Sequence, residues 1–202
     1  MIKVIFLDLG KVIIDYDPSI PLAQLTHYSA LPIPKIKEIL SKSDILSNFD
    51  LGIFSKEDFY IAICKDLKLD ISKEEFKTLW NSLFLPVPLL SETLLLMLKL
   101  EHSIFLLSNT NEIHFDFIWQ HYPVVRHIEN HLLSYQLRKM KPDPSIYQIA
   151  ISRSGVLPEE IFFADDRIEN VEGALNTGIK ATLFESERQL KLAMSLAGIR
   201  IN

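Results

Sequence analysis

Ile2-Lys3-Val4-Ile5-Phe6-Leu7-Asp8-Leu9-Gly10 is the stretch that decides the fold of this chain of 202 residues. Every residue from Ile2 to Leu7 except Lys3 is apolar, and a short apolar run that ends at polar residues and glycine is typical of a buried strand in a parallel sheet. Asp8 then lies at the carboxyl end of this strand, where open α/β sheets bind their ligands. A carboxylate at this position could attack an electrophile, or it could simply cap a turn.

Apolar runs alternate with helical patterns in the second half of the chain. The pattern predicts strands over 103–107, 132–134, 161–163 and 179–184. It predicts helices near 88–101, 112–121, 144–150, 168–176 and 187–196. Strands that alternate with helices indicate an α/β fold with a doubly wound parallel sheet, because the connections between parallel strands are right-handed helical crossovers.

The segment between these parts carries helix signals. Ser55 and Ser72 each precede a carboxylate by three positions, Asp58 and Glu75, which is the arrangement of a capping box at a helix start. A third helix is expected to begin at the prolines of 32–34. We therefore predict an all-helical insertion over 16–86, with no strand before about residue 87, between the two parts of a core domain over 1–15 and 87–202.

Composition narrows the class of partner. The net charge of −5 gives the protein no electrostatic reason to bind nucleic acid or an anionic membrane. Cys64 is the only cysteine, which excludes an internal disulfide, a thiolate zinc site and a CxxC redox site. The N-terminal apolar run lacks the pattern of a signal peptide and is too short to span a bilayer. We expect a cytoplasmic monomer or homodimer that acts on a small molecule.

Three of the predicted strands end in polar residues, at Asp8, at Ser108-Asn109 and at Asp165-Asp166. These groups meet at one edge if the strands are neighbours in the sheet. Carboxylates held close together disfavour each other's ionisation unless a cation lies between them, and hard oxygen ligands suit Mg²⁺. Taken singly, the same residues could serve as turn or helix-cap residues. Lys141, which Pro142 and Pro144 follow, could likewise be an ordinary solvated lysine.

These residues form four motifs in a fixed order: Asp8-Leu9-Gly10, Ser108-Asn109, Lys141-Pro142-Asp143-Pro144 and Asp165-Asp166. The set resembles the motifs of the haloacid dehalogenase (HAD) superfamily of hydrolases over essentially the whole chain. The helical insertion resembles the C1 cap of that superfamily, a small domain that closes over the site. The motifs look most like those of the branch that contains bacterial glucose-1-phosphate phosphatase and the N-terminal phosphatase domain of soluble epoxide hydrolase.

The resemblance implies a role for each motif residue in a Mg²⁺-dependent phosphatase. Asp8 would be the nucleophile and a metal ligand, and Gly10 would offer its carbonyl to the metal. Ser108, the backbone of Asn109, and Lys141 would hold the phosphoryl oxygens, and Lys141 would also orient Asp8. Asp166 would bind Mg²⁺ directly, whereas Asp165 and Asn170 would act through water or through other ligands. The implied substrate is a small phosphorylated metabolite, such as a hexose 1-phosphate.

Gly10 departs from the superfamily's usual pattern, since most of its phosphatases carry an acid–base aspartate at that position. Two alternatives therefore stay open: a catalytically weak protein that binds a ligand or a protein partner, and a metal-independent haloacid dehalogenase. The acidic pair Asp165-Asp166 favours phosphoryl chemistry, because the dehalogenases use no metal. His27, Phe54, Tyr16 and Trp80 are candidate substrate contacts near or within the insertion, although such residues are more often part of a core.

Overall fold

A computed structural model describes residues 1–201 of the chain. It contains seven strands: β1 (Val4–Leu7), β2 (Ile14–Tyr16), β3 (Phe84–Pro88), β4 (Ser103–Ser108), β5 (Asn130–Leu133), β6 (Ile161–Asp165) and β7 (Lys180–Leu183). Five of them form one parallel sheet in the order β5-β4-β1-β6-β7. The predicted α/β fold with a parallel sheet is confirmed, and β1, which carries Asp8 at its end, is the central strand.

Within the described residues, eleven α-helices accompany the strands: α1 (Ser19–Leu25), α2 (Ile33–Lys42), α3 (Ile45–Asp50), α4 (Lys56–Leu67), α5 (Lys73–Asn81), α6 (Glu92–Lys99), α7 (Glu112–His121), α8 (Ser134–Leu137), α9 (Pro144–Ser154), α10 (Ile168–Leu175) and α11 (Glu187–Leu196). Both predicted capping boxes are present, at the starts of α4 and α5. Within residues 1–201, no helix has the length and apolar character needed to cross a membrane.

The prediction that no strand occurs between residue 16 and about residue 87 is wrong. β2 and β3 pair antiparallel as a separate two-stranded ribbon, with Tyr16 opposite Phe84 and Ile14 opposite Pro88. Pro86 and Pro88 argue against a strand in the sequence, because proline has no backbone N–H to donate to the hydrogen bonds between strands. A two-stranded ribbon has free edges, and proline is tolerated on an edge strand. The ribbon carries the chain into and out of the five helices α1–α5, which we call the helical insertion.

Apolar residues form three buried clusters. Two of them cover the faces of the parallel sheet, because alternate residues of each strand point to opposite faces. On β1, for example, Ile5 and Leu7 belong to one cluster and Val4 and Phe6 to the other. The third cluster lies within the helical insertion and takes in Ile113 of α7. The helical insertion thus has a hydrophobic cluster of its own.

A short segment after α3 attaches the helical insertion to the core. The Ser134 hydroxyl donates a hydrogen bond of 2.6 Å to the backbone oxygen of Asp50. A Cβ on Gly52 would lie only 2.1 Å from the backbone oxygen of Tyr135, and the φ of Gly52 is +65°, a conformation that favours glycine. Lys56 adds an ion pair of 2.6 Å with Asp116 of α7. These contacts fix the end of α3 against the carboxyl edge of the sheet.

Candidate active site

The three polar strand ends meet as the sequence predicts. β1 lies between β4 and β6, and Leu7 is in register with Leu106 on one side and with Ala164 on the other. The residues that follow this register, Asp8, Ser108 and Asp165, are all buried. The backbone N–H of Asp8 also donates a 3.0 Å hydrogen bond to the carbonyl of Ala164, which fixes the point where the carboxylate leaves the sheet.

Lys141 lies buried between two carboxylates. Its Nζ donates a hydrogen bond of 2.6 Å to Oδ2 of Asp165 and lies 2.9 Å from Oδ1 of Asp8. Burial by itself would lower the pKa of Lys141, but the charges of Asp8 and Asp165 outweigh burial and raise it. The lysine is therefore a permanent cation at neutral pH and compensates part of the negative charge around it.

The carboxyl group of Asp8 is buried and incompletely satisfied. Burial raises its pKa to about 6, while the charge of Lys141 acts in the opposite direction and the charge of Asp165 raises it further. The group is therefore largely ionised at neutral pH. The 2.9 Å contact to Lys141 is an ion pair without hydrogen-bond geometry, so Oδ1 of Asp8 has no hydrogen-bond partner among the described residues. An anionic oxygen with a free lone pair can act as a nucleophile or as a metal ligand.

Two amide side chains hold this arrangement in place. The side chain of Asn109 donates to the backbone oxygen of Lys141 and accepts from its backbone N–H, each at 2.8 Å. Asn170 is buried and donates a 2.9 Å hydrogen bond to Oδ1 of Asp165. The side chain of Asn109 is thus engaged with the chain itself, which leaves its backbone as the part available to a substrate.

Asp8, Asp165 and Asp166 form the acidic cluster that the sequence predicts. One carboxylate oxygen from each lies within 4.8 Å of the others. Asp165 already accepts from Lys141, from Asn170 and from the backbone N–H of Arg167. Asp166 is half-buried, and burial followed by the charge of Asp165 raises its pKa. The unpartnered Asp8 oxygen and the half-buried Asp166 fit a hard divalent cation such as Mg²⁺, and Asp165 is placed to support the metal site indirectly.

Gly10 faces the ring of Tyr16. A Cβ on Gly10 would lie 2.9 Å from Cε1 and 3.4 Å from Cδ1 of that ring. Gly10 does not have a positive φ, so the backbone itself would accept another residue. The Tyr16 ring occupies the space into which a side chain at position 10 would extend, and an acid–base group there would require the ring to move.

A cavity of about 280 Å³ opens over these groups, and both the core and the helical insertion line it. The insertion contributes Asp50 and Trp80, and α7 and its N-cap contribute His114 and Asn111. Burial raises the pKa of Asp50 to about 6, and a 2.9 Å hydrogen bond from the Asn111 amide to its Oδ1 acts in the opposite direction. Burial lowers the pKa of His114 to about 4, so this ring is neutral.

Asp50, Asn111 and His114 were not among the residues predicted from the sequence. Asp50 and Asn111 are 61 positions apart, and no local pattern connects them. Asn111 belongs to the polar run that follows β4 in the sequence, and this is the one sequence feature that indicates a place near the site. Of the candidate contacts near or within the insertion, Tyr16 and Trp80 line the cavity. Phe54 packs against the core of the insertion instead, and His27 is exposed.

The chain belongs to the haloacid dehalogenase-like hydrolase family, whose family profile matches residues 2–178. It is 28% identical over 177 residues to D-ribitol-5-phosphate phosphatase of Bacteroides thetaiotaomicron, covering 85% of this chain and 86% of that protein. A HAD family enzyme of the same organism, crystallised with magnesium and inorganic phosphate, superposes with a TM-score of 0.81 at 26% identity, over 93% of this chain and 96% of that one. A HAD-like hydrolase of Porphyromonas gingivalis has the same fold, with a TM-score of 0.81 at 24% identity over 97% of both chains.

Removal of the buried cation should destabilise the fold. Lys141→Met leaves Asp8 and Asp165 buried without a partner, and breaking a buried ion pair in this way costs about 3–5 kcal/mol. The cost should appear in urea unfolding at neutral pH with EDTA present. Lys191→Met, which breaks an exposed pair with Glu187, is the control and should change stability by less than about 0.5 kcal/mol.

The cost of Lys141→Met should depend on pH. Without the lysine, the pKa of the buried Asp8 carboxyl rises further above its value in the unfolded chain, so the folded variant binds more protons than the unfolded one. The difference in unfolding free energy between the variant and the wild type should therefore shrink as the pH falls from about 8 to about 5. A variant as stable as the wild type at pH 8 would show that Lys141 does not compensate these charges.

Proposed function

We propose that the protein is a Mg²⁺-dependent phosphatase that hydrolyses a small phosphate monoester through an aspartyl phosphate. The observation that carries the proposal is the buried Lys141 between Asp8 and Asp165, with Asp166 beside them at the carboxyl edge of the sheet. Phosphoryl transfer asks mainly for positioning and for compensation of charge on the phosphoryl oxygens, and this arrangement supplies both. The relatives that carry phosphatase names or were crystallised with phosphate support the same reaction.

In the proposed reaction, an Asp8 oxygen attacks the phosphorus atom, the ester P–O bond breaks, and the leaving oxygen takes a proton from solvent water to become an alcohol. A water molecule then attacks the aspartyl phosphate and gives up a proton to the solvent, which releases inorganic phosphate and returns Asp8 to its carboxylate form. Lys141 stabilises the charge of the transferring group, and Ser108 with the backbone of Asn109 binds its oxygens. Division of one displacement into two easier steps is the usual advantage of a covalent intermediate.

We propose that Asp8, Asp166 and the carbonyl of Gly10 hold the Mg²⁺, with Asp165 and Asn170 in support. When bound, the ion supplies positive charge opposite the phosphoryl oxygens. Asp165 keeps Lys141 and Asn170 in place through its two hydrogen bonds. This division explains why two adjacent aspartates in one motif have different surroundings, one fully buried and one half-buried.

The finer proposal is that the leaving group carries hydroxyls, as a sugar or polyol phosphate does. One oxygen of the Asp50 carboxylate accepts from Asn111, and a carboxylate has further lone pairs with which to accept hydroxyl protons. Asp50 lines the same cavity as Asp8 but belongs to the insertion, on the side where the leaving group would lie. Gly10 has no side chain that could donate a proton to the leaving group, and Asp50 is a carboxyl group on the leaving-group side that could do so.

We also propose that the protein is cytoplasmic, monomeric or homodimeric, and that it binds neither nucleic acid nor membranes.

Phosphate release from p-nitrophenyl phosphate tests the proposal. We expect release with Mg²⁺, its loss in EDTA and its return when Mg²⁺ is restored. Asp8→Asn should lower the rate by about 10³-fold or more while the protein stays folded, because it removes the attacking charge and keeps the shape. Asp17→Asn, which changes a partly exposed carboxylate directly after β2, is the control. Full activity in EDTA would favour metal-independent chemistry, and no activity under any condition would favour the binding-protein alternative.

Asp166→Asn should weaken Mg²⁺ binding by about tenfold or more, as measured by isothermal titration calorimetry. Glu169→Gln removes an exposed carboxylate three positions further on and should leave the affinity unchanged. The same change at Asp165 would also remove one of the two carboxylates beside Lys141, so it would not report on Mg²⁺ binding alone. Equal Mg²⁺ affinity of Asp166→Asn and the wild type would remove Asp166 from the ligand set.

Asp50→Asn should raise KM for ribitol 5-phosphate by roughly tenfold, which corresponds to the loss of one charged hydrogen bond. The asparagine oxygen can still accept from Asn111, so the attachment of the insertion is kept. KM for p-nitrophenyl phosphate, which has no hydroxyls, should stay within about twofold of the wild type. An equal rise in KM for both substrates would show that Asp50 acts only through the position of the insertion.

A further inference from the structure

A second cavity lies within the helical insertion and has a different character from the first. It measures about 550 Å³, which is within the usual range for small-molecule sites. Apolar side chains dominate its walls, among them Leu22 and Leu25 of α1 and Leu40 of α2. Lys37 is the one charged residue among the described residues that line it, and this lysine is exposed.

The two cavities adjoin each other. Leu46, Trp80, Leu83 and His114 line both of them, so only side chains separate the space over Asp8 from the apolar space in the insertion. All four side chains are only partly buried, although they lie where the helical insertion meets α7. A chain or ring that extends beyond the catalytic cavity would meet these side chains first.

The junction is suited to an uncharged group. The ring of His114 stacks on that of Trp80, with an interplanar angle of 15° and centroids 6.0 Å apart. The Nε2 of His114 contacts the backbone oxygen of Trp80 at 3.3 Å, and burial keeps the imidazole neutral. The indole Nε1 of Trp80 is buried and has no hydrogen-bond partner among the described residues.

Half-buried leucines around an open space have a cost. Each stays partly in water although burial of such a side chain is favourable, so an apolar ligand that covers several of them gains affinity. A strongly hydrophilic ligand would gain nothing, because the walls offer it few hydrogen-bond partners and would strip its water. The cavity therefore discriminates in favour of apolar groups.

We propose that the insertion cavity binds the far, apolar end of the substrate's leaving group. The substrate class is then an amphipathic phosphate monoester, with polar carbons next to the phosphate in the catalytic cavity and an alkyl chain or ring beyond Trp80. This inference rests on the proposed phosphatase function for its interpretation, because the insertion cavity adjoins the space over Asp8. Binding itself can be measured without turnover.

The test is a series of n-alkylphosphonates from propyl to octyl, which cannot be hydrolysed, titrated with Mg²⁺ present by isothermal titration calorimetry. Once the chain extends past the catalytic cavity, each further methylene should lower Kd by about three- to fourfold. Across the series, the gain should reach about 30-fold or more. A Kd that does not change with chain length overturns the proposal.

A matched pair of variants locates the effect. Leu22→Trp fills the insertion cavity and should flatten the chain-length series while leaving the Kd of propylphosphonate unchanged. Leu192→Trp makes the same change on the exposed face of α11 and should behave as the wild type. A steep series in Leu22→Trp would place the chain elsewhere and overturn the proposal. If Leu22→Trp fails to fold, the wild-type series decides alone.

The two proposals fail separately. Hydrolysis of p-nitrophenyl phosphate, together with a phosphonate Kd that does not change with chain length, would support the phosphatase function and overturn the apolar subsite. A phosphonate Kd that falls with chain length, without hydrolysis of any phosphate monoester, would support the subsite and overturn the phosphatase function.

Discussion

The charge balance around Lys141 is the constraint on which the rest of the site depends. Two buried aspartates on neighbouring strands would repel each other, and the lysine between them compensates their negative charge. The two carboxylates in turn favour the charged form of the lysine, whereas burial alone would lower its pKa. The proposed nucleophile, Asp8, is therefore largely ionised at neutral pH because a cation is held beside it, and the fold must hold that cation accurately.

The accuracy comes from polar side chains on elements that are distant in sequence. Asn109, at the end of β4, fixes the backbone of Lys141 from both sides, and Asn170 in α10 fixes Asp165. The same edge of the sheet holds the helical insertion. Asn111, two residues after Asn109, donates a hydrogen bond to Asp50 of the insertion. One run of residues, from Ser108 to Asn111, thus both positions Lys141 and attaches the helical insertion over the cavity.

The groups at the sheet edge can be predicted from the sequence, because neighbouring parallel strands have their carboxyl ends at the same edge, independently of the loops between them. The position of Asp8 follows from the apolar run before it and from the order of the later motifs. Contacts that depend on how the insertion docks could not be predicted in this way. The pairing of Asp50 with Asn111 spans 61 positions. The Tyr16 ring that Gly10 faces lies on β2, which the sequence did not indicate as a strand.

Direct detection of a phosphoryl group on Asp8 tests the central claim most directly. The protein is mixed with p-nitrophenyl phosphate and Mg²⁺, quenched in acid within the first turnover, digested, and examined by mass spectrometry. We predict a phosphoryl group on the peptide that carries Asp8, and none on that peptide from Asp8→Asn. Phosphate release without any labelled Asp8 peptide, at quench times that span the first turnover, would contradict the account.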